Sequence, residues 1–366
     1  TPVALDQEKG IESAAYVGGE FDISARFFVY AGLRLSVFNR LGPGQSESFE
    51  EGQPKEPEYI NDTVYYQNNE LIKTYMGPEP RVSARFKVSE DLSLKLSYDR
   101  TYQYLHVLSN TTAVSPLDVW KLSDDYLKPQ IGDQVALGMY KSIYGTSLQL
   151  SIEGYYKHLA NLLEYKDGAS LLLNPDLQTD ILSGTGRSYG IEFFIKKNSG
   201  KLTGWFSYTY ARSLIKVEGA FPGETINSGN FYPSNVDKPH AIVLVSNYKI
   251  NRRVNFSLNF NYSTGQPVTF PLERYYIEGK PLLLYSERNQ FRIPDYIRAD
   301  IAMNIDGNHK VHKKIHGSWS ISIYNMFARR NAYSVFFRSE QGLVNGYKLS
   351  VFGQAIPTVT YRFALK

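Results

Sequence analysis

The chain has 366 residues, no cysteine, a formal net charge of +4 and 14% aromatic residues, with 29 Tyr against 3 Trp and 4 Met. The missing cysteine removes disulfides, thiolate nucleophiles and Cys-ligated zinc. The small, dispersed charge gives nucleic-acid binding no electrostatic footprint, and no run approaches the ~20 apolar residues of a membrane helix.

Thr1 opens the chain without Met, a basic n-region or an apolar h-region, so we expect a mature or truncated chain whose export signal lies upstream or has been removed. From there the dominant signal is a period of two. Between Ala25 and Phe38 the odd positions are apolar (Phe27, Val29, Ala31, Leu33, Leu35, Val37), while Arg26, Arg34 and Ser36 fall on the other face. Leu92, Leu94, Leu96 and Tyr98 alternate with Ser93, Lys95, Ser97 and Asp99. Weaker alternation runs through Ile131 to Met139, Leu148 to Ile152 (beside Glu153) and Ile191 to Ile195, which includes Glu192. Val254 to Tyr262 alternates with four asparagine and serine positions, and Ile297 to Ile305 alternates with Arg298, Asp300, Asn304 and Asp306. A final hairpin is expected to rise over Ser318 to Arg338 and descend over Tyr347 to Leu365.

The connections alternate in length. Short turns are expected at Asp22 to Ser24, Ser89 to Asp91, Tyr144 to Thr146, Asn198 to Gly200 and Asn251 to Arg253. Between them lie long segments such as Leu41 to Pro80, Ser109 to Pro129 and Gln266 to Pro294. Short turns at one end and long loops at the other are what a transmembrane antiparallel β-barrel produces, with the turns periplasmic and the loops outside. Soluble domains seldom hold several structureless loops of that length. Ten residues rising ~3.3 Å each at a ~45° tilt cover roughly 23 Å, the height of the apolar band. Tyr102, Tyr104, Tyr208, Tyr210, Tyr262 and Tyr361 sit toward strand ends, where an amphipathic ring suits the headgroup level; the plainer account is that Tyr is a good strand residue.

The count is about thirteen strands. Single-chain bacterial barrels have even numbers and open edges are not tolerated in hydrocarbon, so residues 1–366 are expected to be the C-terminal portion of one all-β barrel domain, with strands upstream.

Seven short stretches carry a resemblance: Gly186 to Glu192, Leu202 to Tyr210, Asp237 to His240, Tyr262 to Pro267, Arg292 to Tyr296, Ser322 to Asn325 and Pro357 to Phe363. In order and spacing they resemble the C-terminal barrel of TonB-dependent outer-membrane receptors, in the style found in Bacteroidota. The resemblance implies a barrel of about twenty-two strands, of which this chain is similar to the last thirteen. It also implies an outer-membrane location, a plug inside the barrel and an inner-membrane partner, TonB, that pulls on it. Neither plug nor TonB-contacting segment is in this chain. The implied function is energised import of a nutrient; the alternative is a non-transporting barrel that scaffolds an outer-membrane complex. Membrane lipid and the remaining strands and plug are the expected partners, with room over the loops for a surface lipoprotein. Family members commonly finish on Phe, whereas Phe363 is followed here by Ala364, Leu365 and Lys366.

Arg26, Arg34, Lys95, Asp99, Glu153, Glu192, Arg298 and Asp300 are expected to face the lumen, either contacting plug and passing substrate or simply neutralising one another. In the outer loops Trp120, Arg274, Tyr275, Tyr276 and Tyr285 offer stacking surfaces for a sugar, peptide or chelate, or pack loop against loop. His309, His312 and His316 have helical ligand spacing but fall in a basic turn, so no metal is assigned, and no cofactor is expected. His106 and His158 lie within reach of Asp99 and Glu164, but no strained Gly-x-Ser-x-Gly turn or phosphate cradle appears. An enzyme is not expected.

Overall fold

The computed structural model describes residues 7–108, 119–169, 174, 177–277, 280–307, 315–340 and 343–365. Thirteen strands follow one another, each antiparallel to the last: β1 (Lys9–Ser24), β2 (Phe27–Leu41), β3 (Leu71–Lys87), β4 (Leu92–Gln103), β5 (Gln130–Ile143), β6 (Leu148–Tyr165), β7 (Ile181–Lys197), β8 (Leu202–Lys216), β9 (His240–Lys249), β10 (Val254–Ser263), β11 (Tyr296–Asp306), β12 (Ile315–Tyr324) and β13 (Ile356–Leu365). Neighbours in the sheet are neighbours in the chain, as hairpin connections require. Among the described residues β1 pairs only with β2 and β13 only with β12.

Residues directly opposite in an antiparallel pair project to the same side of the sheet. One side can therefore be followed through the register: Arg34 faces Glu79, Arg81 faces Asp99, and Asp99 faces Gln134. Gln134 faces Lys157, Glu153 faces Glu192, and Glu192 faces Thr209. Asn261 faces Arg298 and Asn259 faces Asp300. This is a polar wall, interrupted at β9, which turns Ala241, Val243 and Val245 to the same side. The opposite side carries Leu33, Leu35, Val82, Leu96, Leu137, Ile191, Ile321, Val359 and Phe363, all exposed. Water does not tolerate an apolar band of that extent on one molecule; hydrocarbon does, and it accepts strands only when their backbone groups are paired.

The tight turns sit at one end, at residues 25–26, 88–91, 144–147, 198–201 and 250–253. The other end carries six long loops: L1 (42–70), L2 (104–129), L3 (166–180), L4 (217–239), L5 (264–295) and L6 (325–355). L1, L2, L5 and L6 each contain a β-hairpin of their own, and in L4 Tyr232–Pro233 pairs with the outer end of β8. The compact apolar packing lies at this loop end. Leu108, Leu127, Leu177 and Ile181 form one buried cluster, and Leu182, Ile215, Val217, Ile226 and Tyr232 another.

Two expectations are corrected. Arg26 belongs to the two-residue turn and not to a strand: the Ser24 hydroxyl accepts the Phe27 amide at 3.1 Å and the Arg26 amide at 3.3 Å, so the chain reverses two residues later than the sequence suggests. The final hairpin is also not continuous. β12 stops at Tyr324 because Asn325 takes a left-handed backbone (φ 51°), and its buried amide donates to the carbonyls of Arg329 (3.1 Å) and Phe352 (3.0 Å). Ser334–Glu340 and Leu343–Leu349 then form a separate hairpin in L6.

Candidate functional site

The polar wall and the cap formed by the outer loops are the two surfaces a solute inside the barrel would meet. On the wall, the Arg34 guanidinium bridges Glu79 (2.5 Å) and Glu12 (2.8 Å), joining β1, β2 and β3. Glu79 is only 2% exposed, and Arg81 approaches it at 3.8 Å. Asp99 lies opposite Arg81, and Lys95 opposite Arg85 and Gly138. Glu153 and Glu192 sit directly across from each other, a like-charged pair, and Glu153 accepts the Tyr140 hydroxyl at 2.5 Å. Arg298 and Asp300, two apart on β11, form an ion pair at 2.5 Å, and Asp300 also accepts the Asn325 amide at 2.9 Å. Seven of the eight proposed lumen residues thus share one face, and Arg26 stands apart in its turn.

The cap is held together by groups far apart in sequence. Arg288 of L5 is buried; it pairs with Glu164 at the outer end of β6 (2.9 Å) and Asp167 of L3 (2.6 Å), and its guanidinium lies 4.4 Å from the Tyr165 ring centre. Burial alone would weaken the hold of Arg288 on its proton, but the carboxylates outweigh it and raise its pKa. Asp237 of L4, fully buried, accepts from Arg212 of β8 (3.2 Å), from the Ser213 amide (2.6 Å) and from Arg292 of L5. Glu47 of L1 accepts Gln178 of L3 (2.6 Å), and its backbone meets the Tyr126 hydroxyl of L2. Glu8 binds Lys121 (2.8 Å) and the Leu122 amide (2.6 Å) of L2 as well as Arg40 (3.3 Å). Burial of Lys121 opposes its charge, yet Asp124 and Glu8 hold its pKa above the usual value.

The proposed loop residues divide. Arg274 and Tyr276 lie on one face of the L5 hairpin, the guanidinium 5.0 Å from the ring centre and hydrogen-bonded to the hydroxyl. Tyr275 lies between them in sequence and so projects from the opposite face, and Tyr285 pairs with Pro271 at the foot of the hairpin. Trp120, 61% exposed, stands on the L2 hairpin opposite Val107. His309 and His312 lie outside the described residues. His316 is on β12 opposite Ala364, not in a turn, and among the described residues no three His, Cys, Asp or Glu side chains gather as metal ligands do.

His106 of L2 is 1% exposed and contacts the Ser123 hydroxyl at 2.9 Å, but Ser123 is fully buried, so no substrate reaches it and the pair is structural. Burial pushes the His106 imidazole down to about 4, against the pull of Asp124. Sequence reasoning missed Glu47, Asp237, Arg288 and Arg292. A signal existed for two of them: Asp237 and Arg292 head two of the resembling stretches, each two residues before a proline where a loop re-enters the sheet.

A wall alternating lipid-facing and water-facing residues, tight turns at one end and a braced cap of loops at the other define an outer-membrane β-barrel. The family model described as "TonB dependent receptor-like, beta-barrel" matches residues 2–326, and the chain belongs to that family, whose place is the outer membrane. Among solved structures it is similar to the ferric yersiniabactin uptake receptor FyuA from Yersinia pestis, with 13% identity over 97% of this chain and 46% of that one and a TM-score of 0.59. It is similar as well to the FrpB iron transporter from Neisseria meningitidis, with 11% identity over 98% of this chain and 46% of that one and a TM-score of 0.58. The copper transporter OprC aligns at 13% identity over 86% of this chain and 42% of that one, with a TM-score of 0.53. The chain spans less than half the length of these relatives. A comparison with curated protein sequences gives no match.

Proposed function

We propose that this chain is the barrel part of a TonB-dependent importer. A nutrient is bound by the outer loops, with Trp120, Arg274, Tyr275, Tyr276 and Tyr285 as contact residues, and passes along the polar wall when TonB, pulling on a plug, clears the lumen. The rest of the receptor supplies that plug and the strands that cover the edges of β1 and β13, because unpaired strand edges are not stable in hydrocarbon. The observation that carries this reading is the family match, together with a largely polar face beneath the loop cap. The named cargoes of the solved neighbours, a ferric siderophore, iron and copper, make a metal or metal chelate the first cargo class to test.

The test is uptake of radiolabelled ferric siderophores and copper by cells whose only receptor of this kind is the intact protein, with and without TonB. Accumulation that requires both receptor and TonB supports import. Accumulation that ignores TonB, or none for any solute that binds the purified receptor, overturns it.

A further inference from the structure

The membrane-facing side of β5, β6 and β7 is not a smooth apolar wall. Gly154 lies there between Leu137 and Ile191, its register partners, which are 58% and 53% exposed. A Cβ built on Gly154 would meet nothing nearer than the Gly190 carbonyl oxygen at 3.9 Å, so the position is open space. The result is a groove of about 430 Å³ with Leu137, Ile191 and Val135 as apolar sides, Tyr156 and Tyr189 toward the loop end and Tyr210 beside Ile191. Tyr156 faces Tyr189 across the strand pair, and Tyr210 faces Ile191.

One step further toward the loops the same outward face becomes cationic. His158 pairs in register with Arg187 and with Asp133, and Arg212 pairs with Tyr189. Asp133 is already engaged by Arg100 (2.7 and 3.1 Å) and the Tyr98 hydroxyl (2.7 Å), and Arg212 by Asp237. Arg187 is different. Among the described residues it makes no ion pair, its buried Nε has no hydrogen-bond partner, and its guanidinium rests on the Phe231 ring of L4 at 4.1 Å. A planar fork of donors held against an aromatic ring and left without an anion suits a phosphate.

From the Arg187–His158 level to the Gly154–Ile191 level is four residues of strand, or ~13 Å, with Tyr156 and Tyr189 between, where amphipathic rings lie at the headgroup level. We infer that this groove is a binding site for a phosphate-bearing membrane lipid: the phosphate on Arg187 and His158, the ester region among the tyrosines, and an acyl chain laid over Gly154 between Leu137 and Ile191. The occupant is a lipid because the groove is continuous with the apolar band that meets the bilayer. A free phosphate has no use for its apolar half. The inference needs only the barrel in its membrane and is independent of whether the receptor transports.

The test is native mass spectrometry of the purified intact receptor in detergent, titrated separately with phosphatidylglycerol, diacylglycerol and inorganic phosphate. Gly154→Leu, whose Cβ comes no nearer to the backbone than 3.9 Å, fills the groove, and Arg187→Gln removes the charge; retained heat-dependent gel mobility reports that each variant is folded. Phosphatidylglycerol binding is expected to weaken about tenfold in each variant and to stay unchanged in Lys95→Gln on the other face of the sheet. Diacylglycerol binding, weaker throughout, should respond to Gly154→Leu alone, and inorganic phosphate should not bind. Equal phosphatidylglycerol occupancy in wild type and both variants, or an equal loss in Lys95→Gln, overturns the site. So does inorganic phosphate binding that depends on Arg187.

Discussion

The Asn227 side chain in L4 reads both backbone groups of Arg288 in L5: its Oδ1 accepts the Arg288 amide at 2.8 Å and its Nδ2 donates to the Arg288 carbonyl at 3.0 Å. One amide thereby fixes the residue whose guanidinium joins β6 to L3. Arg288→Ala strands Glu164 without its cation, and breaking a buried pair from one side costs about 3–5 kcal/mol. The loss is local. Hydrogen exchange in L4 and L5 should accelerate strongly in Arg288→Ala and more mildly in Asn227→Ala, while the temperature at which the barrel loses its folded gel mobility stays put. A drop in that temperature without faster loop exchange would refute the assignment of Arg288 to the cap.

The lumen wall predicts the converse behaviour. Glu79 is buried and depends on Arg34, which also holds β1 through Glu12. Arg34→Met should lower the barrel's heat stability, and adding Glu79→Gln should recover much of it, because the cost arises from the carboxylate left behind. A thermal gel-shift series on the two single variants and the double variant measures this coupling.

His106 gives the cap a pH dependence whose sign is fixed. Its folded value of about 4 lies below the ordinary 6.5, so the unfolded hairpin binds the extra proton first. The stabilising contribution is complete above pH ~6.5 and is lost as pH falls toward 4, amounting to about 2–3 kcal/mol of local opening. Exchange of the L2 hairpin amides should therefore rise between pH 6.5 and 4 beyond the chemical rate, and His106→Leu should remove that rise. An unchanged profile in the variant would rule His106 out.

Arg274 and Tyr276 touch, whereas Trp120 stands on another hairpin. If all three contact cargo as proposed, Arg274→Ala and Tyr276→Ala should each weaken binding to the intact receptor about tenfold, and their double variant little further. Trp120→Ala combined with either should multiply. Titration calorimetry with the transported solute reads both patterns.

How far the sequence could be read depends on the range of the interaction. Leu33, Leu96 and Ile191 announce the outward face because alternation is a property of neighbours two apart, and the turn at residues 144–147 is written in Gly145. Ser24 shows the limit of that reading: its hydroxyl caps the reversal, moving the turn and taking Arg26 off the wall. L6 shows another, since strand-forming residues continue through Val335, Phe336 and Phe337 although Asn325 has already led the chain out of the sheet. The braces of the cap leave no period at all: Glu164 and Arg288 are 124 residues apart, and Glu47 and Gln178 are 131 apart. Such partners are chosen by where strand ends fall around a ring, which no local pattern encodes.

The chain of contacts from L2 through L1, L3 and L5 to L4, continued to L6 where Phe270 meets Phe337 at 5.0 Å, has a practical result for engineering. Grafting a single loop from a relative to change selectivity would import half of several bonds and leave buried charges orphaned. Successful transplants should move L3, L4 and L5 together, and natural chimaeras of such receptors should have their crossover points outside that block.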